Sequence, residues 1–309
     1  MARTLLALVQ QACSEINIPQ PSSLISSTDD QAIQLLALAN REGKDFSHLA
    51  NKNGGWQELY KEYTFLTSAI TGQTGNTTNG STVITGIPST AGITAGTWGV
   101  SGTGIPAAAL IASVDSSTQI TLTIPCTSDG TAVALSFGQI AYAMPSDFEY
   151  FVERTFWDGS YRWQLLGPID AQEKDVIKWG ISPVGPRRRF WIRNNTMFIN
   201  PIPSNSTSVI AFDYYSTQWC QSSAGVGQTI WTADTDTYVL DEECFIQGLK
   251  WRFLRSKGLD FTTEYDDYKV VTARVMARNG GQRDLPINTQ GTRLRLLSDA
   301  NCPDTGFGT

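Results

Sequence analysis

The single histidine of this 309-residue chain, His48, bounds the acid–base and nucleophilic chemistry the sequence can offer. A Ser/His/Asp or Cys/His mechanism has to pass through it, because the attacking hydroxyl or thiol needs an imidazole to take its proton. Its setting, Ser47-His48-Leu49 late in a helical pattern, is that of an ordinary helix residue rather than a catalytic one. Five cysteines, Cys13, Cys126, Cys220, Cys244 and Cys302, are scattered, odd in number and without CxxC spacing. That is the pattern of reduced structural thiols rather than of a disulfide frame or a zinc site. Acidic groups cluster at Asp234-Thr235-Asp236 and Asp241-Glu242-Glu243. Neither has the oxygen spacing and glycine of a calcium loop, and helix capping accounts for Asp241 without a metal. Asp266 and Asp267 project from adjacent faces of one helix, poor geometry for an acid/base couple. The glycine-rich run 99–104 is followed by no helix that would aim an N-terminal dipole at a phosphate, and no Walker loop, HExxH or dinucleotide fingerprint occurs. The expectation is a chain that is not an enzyme, with no catalytic residue, cofactor or metal.

Charge narrows the binding classes. A net charge of −6 and a pI of about 4.9 argue against a long groove gripping DNA phosphates. One basic cluster stands out, Arg187-Arg188-Arg189, at the mouth of the strand-like run Phe190-Trp191-Ile192-Arg193. It reads as a solvated strand edge, an inter-subunit ion-pair set, or a contact to DNA in a channel. No run of about 18 apolar residues exists, so no membrane span is expected. Gln10, Gln11 and Glu15 interrupt the N-terminal apolar stretch before it can act as a signal peptide, which reads as a mature cytosolic start. Hydrophobic content of 41% with 17% charge suits a soluble globular protein that covers part of its surface with neighbours.

Residues 72–138 contain no Lys, Arg or Glu, only the two aspartates Asp115 and Asp129, and 11 of the 27 glycines. Short β-branched runs separated by Gly, Pro, Asp and Ser turns predict a small antiparallel barrel or sandwich. On either side, 60–66 and 139–145 read as the two strands of a hairpin from whose tip that block grows. Before it, Leu5, Leu8, Val9, Ala12 and Ile16 form an amphipathic stripe stopped by Pro19 and Pro21, and Thr28 with Gln31 predicts the capping box of a second helix, weakened midway by Gly43. After it, Asp170 with Glu173 caps a short helix, and Asn194-Asn195 joins two strands of a hairpin. Residues 208–215 add a third strand. Asp241 caps a helix with apolar face Ile246, Leu249 and Phe253, closed by Gly258, and a last helix spans about 261–278.

The expected fold class is therefore α+β: a helical bundle with an antiparallel β region, plus an inserted all-β barrel or sandwich. The expected domains are 1–71 with 139–280, the inserted 72–138, and an extended C-terminal docking tail, 281–309. That tail carries Leu285, Ile287, Leu294, Leu296 and Leu297 among Arg283, Arg293 and Arg295. A purely solvated tail has no need of such leucines.

The order of several short motifs carries a family resemblance. Trp56-Gln57-Glu58-Leu59, Tyr142-Ala143-Met144-Pro145-Ser146-Asp147-Phe148, Trp157-Asp158, Leu166-Gly167-Pro168 and Asn200-Pro201-Ile202-Pro203 are followed by Tyr214-Tyr215-Ser216 with Trp219. Trp231-Thr232-Ala233-Asp234-Thr235-Asp236-Thr237, Gly248-Leu249-Lys250-Trp251-Arg252 and Lys257-Gly258-Leu259 complete the set. In this order the chain outside 72–138 resembles the head-to-tail adaptor proteins of short-tailed bacteriophages. The resemblance implies a structural virion protein at the head–tail junction, assembled in the host cytoplasm. It implies a homo-oligomeric ring, commonly of twelve copies, between portal and tail nozzle, through which double-stranded DNA passes without sequence-specific binding. It also implies that the tail residues Arg283, Leu285, Ile287, Arg293, Leu294, Arg295, Leu296 and Leu297 reach the portal. No catalytic residue comes with it. Residues 72–138 lie outside the family pattern, so a tail-surface module recognising host glycan or protein, with Trp98 either a core residue or an aromatic platform, is the rival reading.

Overall fold

A computed structural model describes residues 3–49, 55–106, 109–179 and 187–279. Thr4 opens α1 (Leu5–Glu15) by accepting the Ala7 N–H at 3.3 Å, and Leu5, Leu8, Val9, Ala12 and Cys13 are its buried stripe. The cap of α2 (Asp30–Leu49) differs from the expected Thr28/Gln31 box. Asp29 accepts the Ala32 N–H at 3.1 Å, while Gln31 donates its side-chain amide to the Pro19 carbonyl. An ionised oxygen makes the stronger bond to an orphan N–H than a hydroxyl does. Gly43 has a packing purpose rather than a weakening one: a Cβ there would sit 2.3 Å from the Trp219 ring.

A 3₁₀ turn, Gln57–Leu59, leads into β1 (Tyr60–Leu66). There follow β2 (Ala69–Thr77), β3 (Val83–Ile84), β4 (Trp98–Gly102), β5 (Ile111–Ser116), β6 (Gln119–Leu122) and β7 (Gly130–Gln139). Next come β8 (Ala141–Ala143), β9 (Phe148–Phe151), β10 (Trp157–Asp158), β11 (Trp163–Gln164), α3 (Ala171–Trp179), β12 (Arg189–Arg193), β13 (Thr196–Asn200) and β14 (Val209–Ser216). The short strands β15 (Cys220–Gln221), β16 (Gly227–Gln228) and β17 (Thr237–Tyr238) precede α4 (Glu242–Ser256) and α5 (Thr262–Asn279). Asp170 and Asp241 cap α3 and α4 by accepting the N–H of Glu173 at 2.7 Å and those of Glu243 and Cys244. No helix among the described residues is long and apolar enough to cross a membrane.

The expected class, a helical bundle with a β region plus an inserted all-β domain, is overturned. Among the described residues, seventeen strands in five small antiparallel sheets dominate, with five α-helices. The helices do not close a bundle of their own. The apolar faces of α1, α2, α4 and α5 are completed by Trp219, Trp231 and Tyr238 from the β15–β17 meander, so helices and loops share one core. Amphipathic periodicity shows that a helix has a face to bury; it does not show what covers it.

The expected hairpin between 60–66 and 139–145 is also corrected. Strand β1 pairs instead with β14, in register from Tyr60↔Tyr215 to Leu66↔Val209, while β8 pairs with β13. Phe65 and Tyr142 meet through their rings, with centroids 4.5 Å apart, not through a ladder. The Asn194-Asn195 turn does join β12 to β13, both asparagines at positive φ (49° and 55°), as a two-residue hairpin requires. Residues 69–139 supply both sheets β2–β7–β4 and β3–β6–β5, around a core that includes Ile84, Val100, Ile111, Ile120 and Phe137. Ile202 seats against Gly99 and Gly138, where a Cβ would meet it at under 3 Å.

Candidate functional site

The three arginines flagged in the sequence separate in space. Arg188 leaves the start of β12 inward, is 8% exposed, and pairs with the equally buried Asp158 of β10 at 2.9 Å. It also donates to Ser208 Oγ at 3.2 Å and lies over the Tyr161 ring at 5.5 Å. Arg188 is thus engaged within the subunit. Arg189 pairs with Glu173 of α3 at 3.2 Å, leaving Arg187 as the exposed member of the run. Asp158 sits in the WD motif, so this pair ties β10 to β12 and the β14 sheet beneath an exposed edge of Tyr161 and Trp163, whose rings stack at 5.9 Å.

The Asp234–Asp236 cluster is occupied by backbone donors. Asp234 accepts the N–H groups of Leu24 and Ile25 at 3.0–3.2 Å, clasping the loop before α2. Asp236, 1% exposed, accepts from the backbone of Thr232 and Ala233 at 2.8 Å and from the Thr232 hydroxyl. A carboxylate satisfied this way has few lone pairs left for a cation. Among the described residues no group of three or more His, Cys, Asp or Glu side chains is placed to hold a metal ion. His48 pairs through Nδ1 with Glu149 of β9 at 2.6 Å, pinning the end of α2 to the sheet. Burial pushes the Cys13 thiol up to about 11 and those of Cys220 and Cys244 to about 12. Thiols held that high stay protonated near neutrality and do not act as nucleophiles.

A polar hub that sequence reading missed centres on Asp147. Its carboxylate accepts from Tyr214 Oη at 2.9 Å, Ser216 Oγ at 2.7 Å and Lys61 Nζ at 2.7 Å, joining β1, the β8–β9 turn and β14. Burial alone would raise this carboxyl, but those three donors together hold it below the ordinary carboxylate range. The motif pairs Ser146-Asp147 and Tyr214-Tyr215-Ser216 are the sequence signal, since a buried carboxylate needs donors of that kind.

Two clefts open at the two ends of α4. At its start, Trp56, Glu58, Asp241, Glu242, Glu243 and Arg278 help to line a cleft of about 540 Å³. There Asp241 pairs with Arg278 at 3.2 Å and Glu242 with Arg3 at 2.6 Å, while the exposed Glu58 and Glu243 have no ion-pair partner among the described residues. At its end, Leu38, Arg41, Trp251, Arg252, Arg255 and Ser256 line a cleft of about 250 Å³. Arg252 is tied to the fully buried Glu42 and, at 2.9 Å, to Asp45. Arg255 has no ion-pair partner among the described residues and lies 6.0 Å from the Trp251 ring. The sequence showed the charge asymmetry of α4, acidic at its start and basic at its end, as complementing the helix dipole; the clefts need the packing of α2 and α5. The tail residues Arg283, Leu285, Ile287, Arg293, Leu294, Arg295, Leu296 and Leu297 lie outside the described residues.

No protein-family model matches the chain, and no curated protein matches it.

Proposed function

We propose that this chain is a structural subunit of a bacteriophage particle: a ring-forming adaptor between the portal and the tail nozzle of a short-tailed phage, with double-stranded DNA passing through the ring. The observation that carries the reading is where the motif segments lie. Trp56, Leu59, Trp219, Trp231, Leu249 and Trp251, scattered over nearly 200 positions, meet in one core with α1, α2, α4 and α5. Tyr142, Met144 and Tyr214 meet in the adjoining one, with Phe148 packed against it. Most of the segments behind the resemblance thus meet in two cores, and polar groups such as Asp147 and Asp158 hold elements together. An acidic chain whose one described arginine run is largely engaged inside the subunit suits a conduit that does not grip its cargo, because each cation on a phosphate adds to retention.

The rival, a receptor-binding module built on residues 72–138, draws no support from Trp98. That side chain is 7% exposed and packed in the core of the two sheets, so it offers no aromatic platform. Electron microscopy of the purified protein, alone and mixed with portal rings of the same phage, tests the proposal. A closed ring stacked coaxially on the portal is the expected result; monomers that ignore the portal under both conditions would sink it.

A further inference from the structure

The two clefts of α4 carry opposite charge, and in each the subunit's own ion pairs use only part of it. At the basic end, Arg41 is loosely held, 3.6 Å from Asp45 with its side chain 71% exposed, and Arg255 has no ion-pair partner among the described residues. The Trp251 ring that helps line this cleft has the guanidiniums of Arg252 and Arg255 over it, 4.6 and 6.0 Å from its centroid. The lining of this cleft holds three arginines and no carboxylate, the composition of a site completed by carboxylates from outside. At the acidic end the reverse holds: Glu58 and Glu243 are exposed acceptors beside pairs already closed by Arg278 and Arg3. Glu243 and Arg255 are twelve residues apart on one helix, about 18 Å at 1.5 Å per residue. The patches are therefore distinct, and one copy cannot satisfy both from within.

We infer that the basic cleft of Arg41, Arg252 and Arg255 receives the acidic end of α4, with Glu58 and Glu243, from a second copy of this chain. The contact is head-to-tail: each copy gives one surface and takes the other, and such a heterologous contact closes into a ring when its rotation allows. Two exposed carboxylates meet two exposed guanidiniums, and Arg252, held in place by Glu42 and Asp45, fixes the floor against which they dock. Complementary charge of this kind sets the register and the choice of partner more than raw affinity. The inference rests on the ring reading above, to which it adds the residues of the joint.

Charge reversal in the full-length protein tests it. R41E/R255E and E58R/E243R, each checked for a native circular dichroism spectrum, are expected to lose the ring at concentrations where the wild type assembles, alone or on portal. Mixed in equal amounts, the two variants are expected to recover it as an alternating ring, because each supplies the surface the other has reversed. Rings that survive either reversal would overturn the contact and leave the ring reading standing. So would two folded, non-assembling variants that fail to rescue each other. A wild type that forms no ring under either condition removes the ring reading and this contact together.

Discussion

The helical part of the molecule and residues 69–139 solve the same problem, tying polar groups of separate segments together, in opposite ways. Around the helices, closure comes from ion pairs between positions far apart in the chain: Arg3 with Glu242, Lys250 with Glu15, Arg252 with Glu42. Residues 69–139 contain no Lys, Arg or Glu, and use neutral donors within the segment itself. Thr77 Oγ1 donates to the Ser128 carbonyl at 3.1 Å, Thr90 Oγ1 to that of Ser116 at 2.9 Å, and Asn76 Oδ1 accepts the Ala132 N–H at 2.9 Å. The lesson is that the longest-range ties around the helices are charged, whereas residues 69–139 tie their strands and loops together with neutral groups. Stability of the first kind responds to pH and salt; stability of the second kind responds chiefly to packing.

The largest effect should come from cutting a buried charge pair. Arg252→Ala leaves Glu42, which is fully buried, without its cation, and is expected to cost about 3–5 kcal/mol in denaturant unfolding. An unchanged midpoint would mean that Glu42 is not ionised in the folded protein. Phe137→Ala, which empties the centre of the neutral core, is expected to cost about 3–5 kcal/mol as well. Its loss should be local: amide exchange is expected to accelerate in residues 69–139 while α4 stays protected. Equal acceleration in both would show a single cooperative unit and erase the contrast. Gly43→Ala pushes a methyl into the Trp219 ring and should cost about 1–3 kcal/mol, with altered near-ultraviolet circular dichroism.

The smaller effects concern pH. Because the Asp147 carboxyl is depressed in the folded state, its contribution is complete above about pH 4 and is lost as pH falls through the lowered folded value. Acid unfolding monitored by exchange should therefore begin in the Asp147-linked strands β1, β9 and β14 and reach residues 69–139 last. Asp147→Asn should flatten that acid limb. Least of all, Asp115→Ala removes an exposed carboxylate whose hydrogen bonds to Ser113, Gln119 and Thr121 all lie open to solvent, and should leave the melting midpoint unmoved.

Local rules were legible in the sequence, and long-range pairing was not. The caps at Asp170 and Asp241 and the Asn194-Asn195 turn follow from residue type within a few positions. The partner of β1 does not: alternation along Tyr60–Leu66 sets which side chains face inward but is silent on whether β8 or β14 lies alongside. The same holds for Arg188, whose place in a run of three arginines suggests a solvated edge, whereas its partner Asp158 lies thirty positions away on another strand. At α2 the nearer carboxylate of Asp29 displaced the expected hydroxyl of Thr28, a competition that residue spacing cannot rank. The two clefts of α4 were visible only as a charge gradient along one helix, because their walls come from α2, α5 and the Trp56 turn.

The burial of Trp98 has a practical spectroscopic consequence. It is the one indole among nine that falls between positions 69 and 139, and it is shielded from water. Subtracting the emission of a Trp98→Phe variant from that of the wild type isolates the fluorescence of that segment. One difference signal, followed through a denaturant or acid titration, then reports when the charge-poor strands open while the remaining eight indoles report on the rest of the chain.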